Sequence, residues 1–498
     1  MLAIAEADVL ARLRADNPWW QTGFRGEGPP FSWPRRAFAA RVRDLVSSPV
    51  RRAVVLLGAR RVGKTTLLQQ LLGESSSRFP AVLYAALDTP TYAGLSLERF
   101  LALFEKAKPH DPQKPRLVVF DEIQYLKNWE VHLKDLVDRF PRTKFVASGS
   151  AGAALRRASR ESGAGRFTDV ELPPLTFAEF LDFRGEDLVA VDGTGSRPVF
   201  RCRDIERLDA AFLDYLAFGG YPEAVLDEEI RKGLGRFLGR DIVDKVLLRD
   251  LPVLYGITDV TELNRLFTVL AYNTGQEASL EALSSGSGIA KPTIKRYLEY
   301  LEAAFLIYRL RRIDENARVF QRERGFKVHL VNPAMRAALF GALGEGDERF
   351  GALVESAVLA QWLHLPERRL ARYARWRGSS GDLEVDLVTL FAADQRPRWA
   401  LEVKWSDRPL RDPREYEGLA ELARRHVLPC VGVTTRSRCA LRRDRKLVEG
   451  LAVRFVPTAL YAYGLGWASA RPEGVAELAR AGLLDAGWVV EGQGEGEA

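Results

Sequence analysis

The stretch LGARRVGKTT at residues 57–66 matches the phosphate-binding pattern Gly-x-x-x-x-Gly-Lys-[Ser/Thr]. The apolar run AVVLL at residues 53–57 leads into it and is typical of a strand buried on both faces. Residues 65–72 then have the composition of a helix, which Gly73 ends. A loop between such a strand and helix directs backbone N–H groups and the positive end of the helix at one point. The stretch therefore predicts a binding site for a polyphosphate.

The residue types of this loop fit ATP and Mg²⁺ as cofactors. Glycine lets the main chain turn tightly around a phosphate without a Cβ clash. Lys64 is expected to reach the β- and γ-phosphates, and the hydroxyl of Thr65 is expected to bind Mg²⁺. The predicted cofactor-binding residues of the loop and the helix start are Gly58, Arg60, Gly63, Lys64, Thr65 and Thr66.

Strand and helix patterns alternate over residues 51–150, which is typical of a parallel sheet. The predicted strands are 53–57, 81–87, 117–120 and 144–148. The third strand ends in Asp121 and Glu122; Asp121 is expected to hold Mg²⁺ through its water shell and Glu122 to polarise the attacking water. The fourth ends at Ser148-Gly149-Ser150, where Ser150 is predicted either to sense the γ-phosphate or to form an ordinary turn.

Composition narrows the class of protein. The chain has 498 residues, which suggests three or four modules with cores of their own. The formal net charge of +7 permits a polyanionic partner without requiring one. No apolar run approaches the roughly 20 residues of a membrane span, and we expect neither a signal peptide nor a membrane partner. The few cysteines and scattered histidines fit a reducing cytoplasm without a zinc site.

Two aromatic clusters precede the phosphate-binding loop. Trp19 and Trp20 form the first, and Phe31 and Trp33 belong to the second. Such rings either stack on a nucleotide base or, more commonly, pack against the protein core. Both interpretations are open at this point.

Seven short motifs lie between residues 121 and 404. They are DEIQ at 121–124, GS at 149–150, GR at 165–166, LPPLTFAEF at 172–180, FGGYPE at 218–223, RD at 249–250 and EVK at 402–404. Together they resemble a large prokaryotic family of AAA-type ATPases that carry a restriction-endonuclease-like domain. The resemblance covers nearly the whole chain, apart from its lead-in and tail. It implies a homo-oligomer, expected to be a hexameric ring, and a helical lid over the nucleotide.

The same resemblance implies an arginine that acts in trans. In AAA-type enzymes an arginine of one subunit completes the site of the next and stabilises charge on the transferred phosphoryl group. By position Arg166 is the expected finger, and Arg160 and Arg156 are weaker candidates. The alternative is an ordinary surface arginine. The family has Asn at the sensor position, where this chain has Ser150.

Residues 256–325 have the pattern of a winged helix. Helices are expected at 262–272, 279–283 and 291–301, and a hairpin is expected to open at 305–310. In such a motif the third helix enters the major groove of DNA with its N-terminal residues against the bases. The alternative is a winged helix that contacts protein. The predicted DNA-binding residues are Lys291, Thr293, Lys295 and Arg296.

A second set of polar residues lies in the C-terminal part. In the alternating run DLEVDLV at residues 382–388, Glu384 and Asp386 share one face of a strand. Glu402 and Lys404 share a face of another. Neighbouring strands would bring carboxylates and an ammonium together, which can hold Mg²⁺ beside a scissile phosphate and stabilise developing charge. The predicted nuclease-like residues are Glu355 from an upstream helix, Asp386, Glu402 and Lys404.

The expected α-β-β-β-α-β order of this part is similar to the restriction-endonuclease-like fold. Asp386, Glu402 and Lys404 match its Asp…Glu-x-Lys signature. One alternative is a plain Glu–Lys pair on an exposed sheet. Another is a nuclease-derived domain that has lost cleavage and keeps a DNA-shaped surface or an oligomer contact.

The predicted fold class is α/β: an AAA-type P-loop core with a helical lid, a winged helix-turn-helix and a restriction-endonuclease-like domain. The predicted domains are a helical lead-in (1–50), the ATPase core (51–170), the lid (171–255), the winged helix (256–325), the nuclease-like domain (326–470) and a C-terminal helix with an acidic, Gly-rich tail (471–498). The expected function is an oligomeric Mg²⁺-dependent ATPase that binds DNA, with branched or junction DNA as the expected substrate, and moves or remodels it. The alternatives are an ATP-gated endonuclease and a signalling or protein-remodelling ATPase.

Overall fold

The computed structural model describes residues 5–150, 165–192, 197–317, 325–363, 365–378, 381–443 and 451–492. The chain divides into two compact units. The N-terminal unit comprises Met1–Pro173 with Ala303–Phe305, and the C-terminal unit comprises Pro174–Glu302 and Leu306–Ala498. The main division follows residue 173, close to the predicted end of the ATPase core at residue 170.

The N-terminal unit contains a five-stranded parallel sheet. Its strands are β1 (Ala53–Leu57), β2 (Ala81–Ala86), β3 (Arg116–Asp121), β4 (Thr143–Gly149) and β5 (Phe167–Glu171). Its helices are α1 (Glu6–Asp16), α2 (Trp19–Thr22), α3 (Pro29–Ser32), α4 (Ala39–Ser47), α5 (Lys64–Ser75), α6 (Leu97–Ala107) and α7 (Trp129–Arg139). The strand order is β2-β3-β4-β1-β5, and every pairing is parallel. The four predicted strands are confirmed, and β5 is a fifth.

The lead-in covers the β2 edge of this sheet. The side chain of Asn17 accepts from the backbone N–H of Tyr84 at 2.7 Å and donates to its carbonyl oxygen at 2.8 Å. The indole N–H of Trp20 donates to the carbonyl oxygen of Val82 at 2.7 Å, and its ring stacks on Phe104. These bonds satisfy edge groups that would otherwise pair with another strand. The first aromatic cluster therefore packs against the core.

The C-terminal unit begins with short helices and a small sheet. Its first helices are α8 (Phe177–Arg184), α9 (Ile205–Phe218), α10 (Pro222–Leu226), α11 (Glu228–Lys232), α12 (Leu234–Arg236) and α13 (Leu251–Tyr255), with π-helical stretches at Phe237–Asp244 and Val246–Asp250. A capping box between Thr176 and Glu179 begins α8. Strands β6 (Val189–Asp192) and β7 (Val199–Cys202) also lie here. The prediction of a mostly helical lid at residues 171–255 missed both strands.

The next segment has the three predicted helices followed by a hairpin. Its elements are α14 (Val260–Tyr272), β8 (Glu277–Ala278), α15 (Leu280–Ser287), α16 (Lys291–Ala303), β9 (Ile307–Ile313) and β10 (Phe326–Leu330). Asp259 and Ser279 cap α14 and α15 by accepting backbone N–H bonds of the first turn. The short strand β8 pairs with β10 and was not predicted.

The remaining elements include the predicted α-β-β-β-α-β order. They are α17 (Ala334–Phe340), α18 (Phe350–Ala360), β11 (Ala371–Arg377), β12 (Asp382–Leu390), β13 (Pro397–Glu402), α19 (Glu417–His426), β14 (Cys430–Thr435), β15 (Ala440–Arg443), β16 (Ala452–Pro457), α20 (Thr458–Ser469), α21 (Pro472–Ala481) and β17 (Gly487–Val490). The expected order runs from α18 to β14. The last strand, β17, pairs parallel with β7, so the C-terminal segment contributes to a sheet as well as a helix.

One nine-stranded sheet joins the hairpin to these strands. Its order is β15-β16-β14-β13-β12-β11-β9-β10-β8. Strand β9 pairs antiparallel with β10 and parallel with β11. A domain limit between residues 325 and 326 would separate two paired strands of this sheet. In the described parts of both units, no helix combines the length and the apolar character needed to cross a membrane.

Candidate functional site

The phosphate-binding loop lies at the C-terminal end of β1, a strand buried along its whole length. Its main chain leaves the strand beside the chain that follows β5, and a Cβ added at Gly58 would collide with the carbonyl oxygen of Leu172. Arg61 and Gly63 have φ angles of 60° and 90°. The left-handed conformation costs glycine little, which explains the residue type at the second glycine of the motif. The loop therefore has the tight turn that the pattern predicted.

Lys64 is the first residue of α5 and only 4% of its surface is exposed. Its Nζ donates to the carbonyl oxygens of Gly58 at 3.1 Å and Ala59 at 2.8 Å, so that the side chain spans the loop. Thr65 and Thr66 follow in the first turn of the helix. Their backbone N–H groups belong to the set that an α-helix leaves without intrahelical partners. This end of α5 is therefore suited to an anion.

A buried arginine from the lead-in braces the loop and was not predicted. Arg36 is 4% exposed. Its Nη1 donates to the carbonyl oxygen of Val62 at 2.6 Å, and its Nη2 donates to that of Pro173 at 2.9 Å. The guanidinium therefore ties the loop to the chain that follows β5. Its only sequence signal is a basic pair at residues 35–36, which is equally common on protein surfaces.

Asp121 ends β3 and is 1% exposed. Its Oδ2 accepts from the hydroxyl of Thr65 at 2.7 Å and from the phenol of Tyr84 at 2.9 Å. Its Oδ1 accepts from the hydroxyl of Ser148 and, at 3.2 Å, from the backbone N–H of Glu122. Burial and the charge of Asp121 raise the pKa of Tyr84, which keeps its phenol a donor. The two predicted Mg²⁺ ligands are therefore in direct contact.

The order of the strands in the sheet explains why these residues lie close to Asp121. In the sheet β4 lies between β1 and β3, so the ends of all three strands are adjacent. Ser148, near the end of β4, also accepts from the backbone N–H of Glu122 at 3.1 Å. Tyr84 comes from β2, the other neighbour of β3. The sequence pattern marked the end of β4 but selected Ser150, and Tyr84 resembled any core residue of a buried strand.

Glu122 is held at the mouth of the site by two side chains. Its backbone is left-handed, with φ 54° and ψ 47°, which is uncommon for a residue other than glycine. Its Oε2 accepts from the hydroxyl of Ser150 at 3.2 Å and from the amide of Gln124. The same amide donates to the Ser150 hydroxyl at 3.0 Å. Ser150 therefore contacts the predicted general base, and its role as a phosphate sensor stays a prediction.

A third carboxylate, Asp88, follows β2 and was not predicted. Partial burial and the negative charges of Glu122 and Asp121 raise its pKa, and the charge of Arg60 opposes that rise. Asp88 and Arg60 thus lie within electrostatic reach of the site. The region combines loop cations with carboxylates, as a site for a metal–polyphosphate complex requires.

The described residues fit ATP with Mg²⁺. The hydroxyl of Thr65 and the carboxylate of Asp121 are hard oxygen ligands, and their hydrogen bond places them beside each other. Gly58 lets the loop pass close to the carbonyl oxygen of Leu172, where a side chain would not fit. Lys64 and the start of α5 supply positive charge. These residues would hold the nucleotide and its metal ion.

Arg166 lies beside the N-terminal end of β1, whereas the loop follows the C-terminal end of that strand. Its carbonyl oxygen accepts from the backbone N–H of Ala53, the first residue of β1, whereas the loop follows the last. Five residues of strand span about 13 Å, so Arg166 does not reach the loop of its own subunit. It is 42% exposed and bonded to Asp138. Its role as a finger for another subunit stays a prediction; the weaker candidates, Arg156 and Arg160, lie outside the described residues.

The predicted DNA-binding residues lie on the first turns of α16. Lys291, Lys295 and Arg296 are exposed and Thr293 is half-buried. Lys291 forms an ion pair with Glu281 of α15 at 2.8 Å. The helix is amphipathic, with its other face in the core. The buried residues of that face are Ile294, Tyr297, Leu298 and Leu301.

The predicted nuclease-like residues come together in the C-terminal unit. Strand β12 carries Asp386, and its antiparallel neighbour β13 ends at Glu402. Lys404 Nζ lies 3.0 Å from Glu402 Oε1. The backbone N–H of Val403 donates to Asp386 Oδ2 at 2.8 Å. Burial and the charge of Asp386 raise the pKa of Glu402 to about 8.

Sequence reasoning missed the residue at the centre of this cluster. Lys327 of β10 extends its ammonium to Glu355 of α18 and to Glu384 and Asp386 of β12. The signal was a lysine within FKVHL at residues 326–330, a strand whose five residues are all buried. Three carboxyl groups of the cluster therefore already contact an ammonium, which opposes the binding of a second cation there.

Two family models match parts of this chain. A model described as an AAA domain matches residues 50–181, which include the loop, Asp121, Glu122 and Arg166. A model described as a domain of unknown function (DUF8612) matches residues 209–346, from α9 to beyond the hairpin. The N-terminal unit is thus similar to AAA-type P-loop ATPases in its sequence as well as in its parallel sheet.

The chain is also similar in sequence to uncharacterized proteins from several organisms. An uncharacterized protein of Haemophilus influenzae is 27% identical over 294 residues, which cover 56% of this chain and 68% of the relative. An uncharacterized protein of Mycobacterium tuberculosis is 29% identical over 385 residues, 75% of each chain. The crystal structure of Cdc6p from Pyrobaculum aerophilum is 15% identical, covering 68% of this chain and 93% of that one, with a TM-score of 0.25. A TM-score this low supports no structural conclusion.

Proposed function

We propose that this protein is a Mg²⁺-dependent ATPase that assembles into an oligomer, binds DNA and uses hydrolysis to move or remodel it. The observation that carries the ATPase part is the 2.7 Å hydrogen bond between Thr65 and Asp121. It brings together the metal-binding hydroxyl of the loop helix and the metal-binding carboxylate of β3. The match of residues 50–181 to the AAA domain supports the same reaction.

The chain's own groups have separate tasks in this reaction. Lys64 and the N-terminus of α5 would bind the β- and γ-phosphates. Glu122 would accept a proton from the water that attacks the γ-phosphate. Ser150 and Gln124 would orient the Glu122 carboxylate through their bonds to Oε2. Mg²⁺, held by Thr65 and Asp121, would neutralise charge on the phosphates.

ATP turnover with a panel of DNA tests the proposal. The wild type and the Glu122→Gln variant are assayed alone and with linear, forked and four-way DNA at moderate salt. We expect DNA-stimulated turnover in the wild type and loss of at least about a hundred-fold in the variant. Turnover that DNA neither stimulates nor inhibits, together with absence of DNA binding, overturns the DNA part. Turnover that survives in Glu122→Gln overturns the assignment of the base.

The oligomer is tested by mixing two variants. Arg166→Ala keeps an intact loop site, and Glu122→Gln keeps the arginine. If Arg166 serves a neighbouring subunit, mixed oligomers regain a measurable part of the activity that each variant lacks. Arg139→Ala is the matched control, because Arg139 is exposed and also paired with an aspartate. An Arg166→Ala variant that is fully active by itself contradicts the proposed finger.

DNA binding is assigned to the start of α16. The helix–strand–helix–helix–hairpin order from α14 to β10 supports the winged-helix interpretation, as does the exposed basic face of α16. Charge reversal at Lys295 and Arg296 should weaken DNA binding and reduce its salt dependence. Arg265→Glu, on the exposed side of α14, controls for net charge. Equal loss in the control and the α16 variants contradicts the assignment.

The same Glu122→Gln variant also tests the protein-remodelling alternative. A Glu122→Gln protein that holds nucleotide and captures proteins without nucleic acid would favour it. The endonuclease alternative requires metal ligands in the C-terminal unit. The contacts of Lys327 argue against those ligands.

A further inference from the structure

Lys327 has a side chain that is only 5% exposed. Its Nζ lies 2.9 and 3.1 Å from the two carboxylate oxygens of Glu355. It lies 2.6 Å from Glu384 Oε1 and 3.3 Å from Asp386 Oδ1. An ammonium has three hydrogens to donate, and three carboxylates surround this one. The ring of Tyr373, 5.5 Å from Nζ, adds a further attraction.

Opposite charge surrounds the buried ammonium of this lysine. Attraction to the carboxyl groups of Glu355, Glu384 and Asp386, each with an oxygen within 3.3 Å of Nζ, opposes the cost of burying the ammonium. A buried ammonium among carboxylates is stabilised, whereas either partner alone would be costly inside the protein. The cluster is thus held together by its own cation.

Three of the four carboxylate oxygens of Asp386 and Glu402 are engaged by other groups, and the fourth, Glu402 Oε2, is buried without a hydrogen-bond partner. Mg²⁺ requires near-octahedral oxygen ligands at about 2.0–2.1 Å. Asp386 offers one oxygen to Lys327 and the other to the backbone N–H of Val403. Glu402 contacts Lys404 through Oε1. Among the residues described by the structure, no group of three or more His, Cys, Asp or Glu is arranged to hold a metal ion.

We propose that Lys327 is a built-in cation that replaces the metal ion of this nuclease-like carboxylate cluster. The ammonium comes from β10 of the hairpin, and its partners come from α18 and β12. In β10, Lys327 pairs with Glu277 of β8 and Leu310 of β9. The cluster therefore ties the hairpin that follows α16 to the strands of the predicted nuclease-like domain. In this proposal the cluster joins these elements by ion pairs and does not cleave DNA.

Mn²⁺ binding without nucleotide tests this proposal. The full-length wild type, Lys327→Ala and Lys327→Ala/Asp386→Asn are titrated with MnCl₂ and followed by the electron paramagnetic resonance of free Mn²⁺. Any ion at the loop site is common to all three proteins. We expect Lys327→Ala to gain one Mn²⁺ per chain, bound at least about ten-fold more tightly than by the wild type, and the double variant to lose it. Lys404→Ala is the matched control: it removes the other ammonium and should gain no site.

Thermal melting covers the case in which Lys327→Ala folds poorly. One millimolar MnCl₂ should then raise the melting temperature of Lys327→Ala and leave those of the wild type and Lys404→Ala unchanged. Three results would overturn the proposal. They are a wild-type Mn²⁺ site that Asp386→Asn removes, metal-dependent DNA cleavage by the wild type that Asp386→Asn removes, and a Lys327→Ala variant that neither binds Mn²⁺ nor is stabilised by it.

Discussion

Two lysines, one in each unit, use the same functional group in opposite ways. Lys64 donates to the backbone carbonyl oxygens of Gly58 and Ala59, groups without net charge. Lys327 donates to the carboxylates of Glu355, Glu384 and Asp386. Carbonyl oxygens orient an ammonium without adding a negative charge beside it, whereas carboxylates attract it with charges of their own. The first arrangement suits the binding of an anion, and the second suits a stable interior.

The comparison extends to the carboxylates of the two sites. Asp121 is surrounded by neutral donors, among them the hydroxyls of Thr65 and Tyr84. Such donors orient a carboxylate and leave its negative charge to attract a metal ion. Asp386 is instead bonded to a fixed cation. In this chain, the two carboxylate clusters therefore differ in the charge of the side chains that contact them.

The largest expected effect separates two tasks within the loop site. Lys64→Ala should abolish measurable nucleotide binding, because it removes the charge that faces the phosphates. Glu122→Gln should bind nucleotide normally and lower kcat by roughly 10²–10⁴-fold, because the amide does not accept the proton of water. Equilibrium binding of a fluorescent ATP analogue and steady-state turnover measure the two effects. Normal binding by Lys64→Ala would contradict the comparison.

The next effect concerns stability of the C-terminal unit. Lys327→Met should lower the free energy of unfolding by about 3–5 kcal/mol, since it leaves three carboxylates without their buried cation. Lys404→Met should cost less, because Lys404 is 30% exposed and contacts a single carboxylate oxygen. Urea denaturation followed by circular dichroism measures both. Equal losses of unfolding free energy in the two variants would show that the Lys327 contacts do not stabilise the protein more than the Lys404 contact does.

A smaller effect tests the neutral donors of the loop site. Ser148 is fully buried, donates to Asp121 and accepts from the backbone N–H of Glu122. Ser148→Ala should lower kcat/KM for ATP by roughly ten-fold, because hydrogen bonds to charged groups contribute about 1.5–3 kcal/mol. Ser76→Ala, directly after α5, is the control, since its hydroxyl donates within its own turn to the carbonyl oxygen of Gly73. A change in ATP hydrolysis of similar size in the control would reject the assignment.

The last expected effect concerns a buried carboxylate whose cation is more distant. Asp209 is 7% exposed, and Arg436 lies 3.8 Å away. Burial raises its pKa to about 7, and the charge of Arg436 opposes the rise. The folded state thus holds a proton that the unfolded state loses near pH 4, and stability falls as the pH rises from about 4 to 7.

Asp209→Asn should remove that loss. Its stability advantage over the wild type should grow by roughly 1–3 kcal/mol between pH 5 and pH 8. Urea denaturation at the two pH values measures the change. An advantage that is independent of pH would contradict the raised pKa.

Patterns that are local along the chain predicted the elements around the phosphate-binding loop well. The loop motif, the run that becomes β1 and the two acids at the end of β3 each lie within a few residues of one another. Strand and helix bounds in that unit depend on the same short-range alternation of apolar residues. The predicted strand that became β12 and the helix that became α16 have comparably clear periodicity. Each of these patterns describes a single helix, strand or loop and says nothing about its contacts with other elements.

The missed features depend on partners far away in sequence. β7 pairs with β17, almost 300 residues later, and each strand has only four residues. Arg36 acquires a role only when its guanidinium meets the carbonyls of Val62 and Pro173. Short strands and single basic residues are common in every class of protein. Their sequence patterns therefore cannot be distinguished from chance occurrences.

The sequence alone determined that a polyphosphate loop precedes a strand with two acids, because backbone turns and strand periodicity are encoded by neighbouring residues. Only the tertiary structure showed which cation contacts the second set of acids. Asp386, Glu402 and Lys404 have the spacing of a metal site, yet Lys327 reaches the cluster from another strand of the sheet. Electrostatic interactions depend on distance in space, and a charge some sixty residues away in the chain changes the chemistry of a motif that looks complete by itself.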